Sequence, residues 1–212
     1  MNLNMMGNGT RHREDKAEII IDAAQKRFGL FGVEKTTMRE IAGDLHISKA
    51  ALYYYFPDKE SLYNNVIARE QSEFLRVLEE EIRSITDPAE CLRKFALARL
   101  SHFRRLLNLS RIRLASLSEL KPVIADSRKD FREEEKNLVI QILEKGRDEN
   151  LFAIDDSYKT ATLFLDLLRG LRSAFMTDKD LLVIDEAEFN MLSEKVNDIA
   201  GIFINGLMFI KK

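Results

Sequence analysis

Apolar side chains recur at three- and four-residue steps through most of this chain, and no segment alternates polar and apolar positions over the length of a strand. The first periodic stretch, residues 15–31, places Ile19, Ile20, Ala23, Ala24, Phe28 and Phe31 on one side, and Gly29 and Gly32 loosen and end it. Thr37 followed three residues later by Glu40 is a capping box, so a short helix begins at Met38 and uses Ile41, Ala42 and Leu45 as its inner face. Ser48 is the next N-cap. Ile47 before it can staple onto Leu52, and a second short helix runs from Lys49 to Tyr55, stopped by Pro57.

Longer helices follow. Asp58 caps a link helix over residues 58–85, with Leu62, Val66, Phe74, Leu75, Leu78 and Ile82 spaced for burial. Asp87, Pro88 and Glu90 form a second start signal, and the periodicity continues through Phe103 and Leu107. The pattern then predicts a separate helix over residues 109–120, ended by Lys121-Pro122, and a long one over 123–150. Residues 156–176 and 186–210 form the last two helices and are the most apolar. Residues 156–176 carry two stripes, one through Ala161, Phe164, Leu168, Leu171 and Phe175, the other through Leu163, Leu167, Gly170 and Ala174. A helix apolar on two sides is central to its own domain or buried in a partner. The fold class is therefore all-α. Residues 1–12 read as a disordered tail, 13–62 as a three-helix head and 63–212 as a larger helical domain.

Two brief helices across a tight turn are the helix-turn-helix pattern, whose second helix lies in the DNA major groove. Ser48 and Lys49 offer a hydroxyl and an ammonium at a helix N-terminus, which favours phosphate, and Ala50 permits close approach to base edges. Successive helical residues lie about 100° apart, so Tyr53, Tyr54 and Tyr55 cannot all be buried. The stretch TTMREIAGDLHISKAALYYYFPDKESL, with the helix before it, resembles the DNA-binding domain of the tetracycline-repressor (TetR) family over residues 17–62. The resemblance implies DNA contacts from Thr37, Arg39, Ser48, Lys49, Ala50, Tyr53, Tyr54, Tyr55 and Lys59. The chain departs from the family pattern twice: His46 stands where the turn glycine is usual, and Tyr55 stands where histidine is commoner.

Composition adds little in favour of nucleic acid. The net charge of the 212 residues is −2, and over residues 1–60 basic and acidic side chains balance one for one, so the DNA reading rests on motif and placement. Arg11 and Arg13 precede the first helix, where an arm can reach a minor groove. The single cysteine, Cys91, excludes an internal disulfide and a cysteine-cluster metal site, and as a core residue it fits a reducing compartment. The three histidines are scattered, and no Gly-rich phosphate motif or His-x-x-x-His pair occurs, so neither catalysis nor a cofactor or metal has support. No apolar run reaches membrane-spanning length.

These readings lead to a ligand-responsive transcriptional regulator of the cytoplasm. The resemblance implies a repressor released from operator DNA by a small molecule. An apolar or amphipathic effector is expected in a cavity lined by Phe95, Phe103, Leu107, Phe131, Leu138 and Phe164. Reading two half-sites of a palindrome requires a homodimer. The expected interface is a four-helix bundle of the last two helices and their copies, through Leu167, Gly170, Leu171, Val196, Phe203 and Leu207. Arg104, Arg105, Arg111 and Arg113 form a dense basic run, read as a solvated face or, alternatively, as a cationic rim for an anionic effector. A helical lipid-binding protein or enzyme with an incidental helix-turn-helix is the alternative class.

Overall fold

In the computed structural model the backbone is described for residues 6–110, 114–177 and 183–208, and the side chains for these residues outside 6–12 and 114–128. Among the described residues the ordered elements are eight helices: α1 (Met6–Phe31), α2 (Met38–Asp44), α3 (Lys49–Tyr55), α4 (Lys59–Arg83), α5 (Pro88–Ser110), α6 (Leu114–Asp148), α7 (Ser157–Met176) and α8 (Glu186–Leu207). Two expectations about helix ends fail. α1 starts at Met6, upstream of Asp15. Lys121-Pro122 ends nothing: α6 runs through it as one 35-residue helix. A proline inside a helix removes one backbone hydrogen bond, about 3 kcal/mol, and the long flanks of α6 carry that local loss.

α1, α2 and α3 share a core of Ile20, Ala24, Phe28, Ile41 and Leu52, closed by Leu62, Tyr63 and Val66 from α4. Arg27 clasps α2 to α1, its Nε donating to Asp44 Oδ2 at 2.9 Å. The second core joins α4 to α8 through Leu78, Leu92, Phe95, Leu143, Phe164, Leu165 and Ile204. α4 therefore belongs to both cores, and a change of its tilt moves the head against the body. The start of the loop after α6 is packed under the bundle. Phe152 sits so close over Gly146 that a Cβ there would lie 2.1 Å from its ring, and the Ala153 N–H donates to the Leu207 carbonyl at 2.7 Å.

Polar links cross between head and body. Glu70 on α4 is 4% exposed and accepts from Gln25 on α1 and from Arg105 on α5. Tyr63 and Ser110 share a buried hydroxyl contact at 2.6 Å, and the Val33 N–H donates to the Ser110 carbonyl at 3.2 Å. Where it is described, the basic run is paired yet partly solvated, and Arg104 and Arg105 line an open groove with Ser101, Asn108, Leu109 and Phe189. Arg105 holds Glu70, while Arg104 pairs with Glu186 at 2.7 Å and lies over the Phe189 ring. Arg111 and Arg113 fall outside the described residues.

Candidate nucleic-acid interface

The head is shaped by local chemistry. The capping box at α2 is complete: Thr37 Oγ1 accepts from the Glu40 N–H at 3.3 Å, and Glu40 Oε2 accepts from the Thr37 N–H at 2.8 Å. The Thr37 hydroxyl, its backbone N–H and the Arg27 charge hold the Glu40 carboxyl below its ordinary range. Ser48 Oγ accepts from the Ala51 N–H at 3.1 Å, which starts α3. Between the two helices His46 adopts φ 53°, the left-handed conformation that its place in the turn demands. That conformation costs a non-glycine residue roughly 1–2 kcal/mol, and the extra freedom of glycine in the unfolded chain offsets about 0.5–1 of it. His46→Gly should therefore raise stability by on the order of 0.5 kcal/mol, read as a higher urea midpoint with an unchanged slope.

Thr37, Arg39, Ser48, Lys49, Ala50, Tyr53 and Tyr54 are all exposed. Tyr54 stands out most, at 65% exposure. Lys49 Nζ lies 5.4 Å from the centre of the Tyr53 ring, and the Arg13 guanidinium lies 5.1 Å from that of Tyr54. The start of α1 and the second short helix thus meet on one surface, which places Arg13 beside the residues singled out from the motif. Four of the acids that balance the head's charge are engaged elsewhere: Glu40 in the cap, Asp44 with Arg27, Asp58 capping α4 and Asp22 with Arg69.

The other two of the nine, Tyr55 and Lys59, are half-buried. Tyr55 packs against the head core and meets Tyr54 edge-on at 5.2 Å. Lys59 donates its ammonium to the Val33 carbonyl at 3.0 Å and to that of Glu34 at 3.5 Å, so neutral carbonyl dipoles offset its unfavourable place in a first helical turn.

In the body, Phe95, Leu138 and Phe164 are closed into the core, Leu107 packs against it, and Phe131 lies 6.2 Å from Phe74 and 6.0 Å from His102. A partly open void of about 20 Å³ lies between α5, α7 and α8, and of the six expected lining residues only Phe103 borders it. That is room for about one water, far below the size of a drug-like ligand. Apolar periodicity places a residue inward but does not tell whether it meets a void or another side chain. Among the expected interface residues Val196 is buried in its own protomer, Phe203 packs on Phe164 with ring centres 4.8 Å apart, and Leu171 and Leu207 pack against the same core. Leu167 and Gly170 face outward, with Leu163, Ala174 and, on α8, Ile202. Cys91 is buried and its thiol points at the Ile82 and Ile85 carbonyls; burial pushes its pKa up, which suits a core residue.

A short capped helix, a left-handed turn and an exposed second helix on a helical body define a helix-turn-helix transcriptional regulator. Residues 20–66 match the family described as bacterial regulatory proteins, tetR family. A transcriptional regulator from Cytophaga hutchinsonii is 36% identical, with a TM-score of 0.83 over 92% of this chain and 99% of that one. This chain belongs to the TetR family. YuxN, an HTH-type regulator of Bacillus subtilis, is 45% identical over 49 residues, 23% of this chain and 17% of that protein. A transcriptional regulator from Saccharomonospora viridis, solved in complex with choline, shares the fold at 19% identity and a TM-score of 0.70, over 93% of this chain and all of that one. No helix among the described residues is long and apolar enough to cross a membrane.

Proposed function

We propose that this protein is a homodimeric repressor of the cytoplasm that binds palindromic operator DNA and is released by a small-molecule effector. The observation that carries the reading is the exposed row from Thr37 and Arg39 to Ser48, Lys49, Ala50, Tyr53 and Tyr54, polar and aromatic on helices whose other faces are buried. Arg39, Lys49 and Tyr54 read bases and phosphates, and Arg13 extends the same surface. Mobility shift with the DNA flanking its own gene tests this. Failure to retard any such fragment at low salt would sink it.

Lys49 and Lys59 separate on salt dependence. Lys49→Ala should weaken binding and lower the slope of log K against log salt by about one, as a lost phosphate contact does. Lys59→Ala should lower the slope as well only if its ammonium has a donor left for phosphate beyond the two carbonyls. An unchanged slope with a lower melting temperature would assign Lys59 to holding the Val33–Glu34 turn.

The outward stripe of α7 and Ile202 of α8 supply the dimer face. Gly170, Gly201 and Gly206 have open space where a Cβ would stand, so a partner backbone can come close. The effector enters the body, and the neighbour solved with choline supports that general capacity of the fold. With a void of only about 20 Å³, the closed body is the DNA-competent arrangement and an effector must favour a more open one, since equal affinity for both shifts nothing. α4, shared by both cores, is the lever. Native mass spectrometry of protein purified from its own host would identify a retained effector.

A further inference from the structure

Among the described residues one buried side-chain polar atom has no hydrogen-bond partner, Nε2 of His102 on α5. The residue is 7% exposed. Its ring lies flat on Phe74 of α4, with centres 4.2 Å apart and planes 12° from parallel, and is tilted against Phe131 of α6. Burial, reinforced by the charges of Arg105 and Arg99, pushes its pKa down to about 3, so the imidazole is neutral at physiological pH. An orphaned buried ring nitrogen is destabilising, and a phenylalanine would fill the same space between the two rings without that cost. The surrounding charges are already matched. Arg99 and Arg105, one turn to either side on α5, are held by the buried carboxylates of Glu135 and Glu70.

We propose that His102 is the polar anchor of a binding site, between α4, α5 and α6, for an uncharged aromatic molecule that bears a hydroxyl group. The proposal rests on the reading of the body as an effector domain and names the chemistry of the effector. A hydroxyl suits either tautomer, because it donates to a bare Nε2 and accepts from a protonated one. An aromatic ring suits the walls, since Phe74 and Phe131 offer faces and edges at stacking distance. A carboxylate is disfavoured: the dry surroundings that expel the proton from His102 penalise any unmatched charge. Phe74 stands on the helix shared by both cores, so parting Phe74 from Phe131 to admit a ring moves α4. Occupancy then favours one head arrangement over another, as release from an operator requires.

Phenol is the probe, with toluene as its hydroxyl-free isostere, on the full-length protein labelled with ¹⁵N at histidine. Of the three histidines, His102 should show an Nε2 resonance without hydrogen bonding, and phenol should shift it. Phenol should bind at least about tenfold tighter than toluene, as one hydrogen bond to an otherwise unpaired buried group provides. His102→Phe leaves the phenol hydroxyl without a partner, so it should bind toluene more tightly than phenol and melt no lower than the wild type. Equal binding of phenol and toluene by the wild type would overturn the proposal. So would an Nε2 resonance already hydrogen-bonded in the free protein and unmoved by phenol, which marks a resident water. The wild-type resonance decides the matter even if His102→Phe fails to fold. None of these measurements involves DNA, so their failure leaves the operator reading to the mobility shift, and a failed shift leaves the site to them.

Discussion

Ile202→Asp should turn the proposed dimer into a folded monomer that no longer retards operator DNA. Ile202 is the most exposed large apolar side chain of the described residues, at 74%, and its own protomer covers little of it. An obligate dimer interface buries upward of about 2,000 Å² of mainly apolar surface, and a charge at its centre costs at least about 2 kcal/mol per copy. A two-fold interface contains each position twice, so two aspartates face the seam. The reading head is untouched, yet one half-site alone gives few base contacts, and affinity should fall by a factor of a hundred or more, consistent with the several kcal/mol that a specific site gains over non-specific DNA. Sedimentation velocity and mobility shift check both halves, and an unchanged far-UV melt confirms that the protomer survives. Phe203→Asp is the wrong probe of the same face. Phe203 is half-buried and packs on Phe164, so aspartate there should also destabilise the protomer and mix core with interface. Retention of a full-affinity dimer by Ile202→Asp, and by Leu167→Asp beside it, would place the interface elsewhere.

Arg99→Ala should destabilise the body by about 3–5 kcal/mol, the cost of leaving one member of a buried ion pair without the other. Glu135 is only 1% exposed, and Arg99 Nε meets its Oε1 at 2.5 Å with a second contact from Nη2 to Oε2 at 3.4 Å. Urea titration at neutral pH tests the size. Arg99→Met with Glu135→Leu should recover most of the loss, because an apolar pair of similar volume needs no partner. A single variant as stable as the wild type would show that water already reaches Glu135.

Much of the head was legible because its signals act within a few residues. A threonine and a glutamate three apart make a cap, and a serine before Lys49 starts the second helix whatever surrounds them. The turn at His46 was legible for the same reason: the chain must reverse there, and the left-handed conformation follows even without glycine. The two stripes of α7 were legible as stripes. The sequence could not say which one faces out, since Phe164 and Leu167 are equally apolar, and only packing against α6 and α8 turns the first inward.

What the sequence by itself determined is the all-α class, the start signals of most helices and the motif that marks the DNA-reading helix, because helix caps and periodicity are local in the chain. Tertiary structure alone decided the partners that lie far apart in sequence. The Lys59 ammonium meets the Val33 carbonyl, Arg105 meets Glu70, Arg99 meets Glu135, and His102 is left between Phe74 and Phe131 without a hydrogen bond. Such contacts depend on how the helices lie against one another, which is set by the summed fit of many apolar side chains, and no residue type or spacing encodes that one pair at a time.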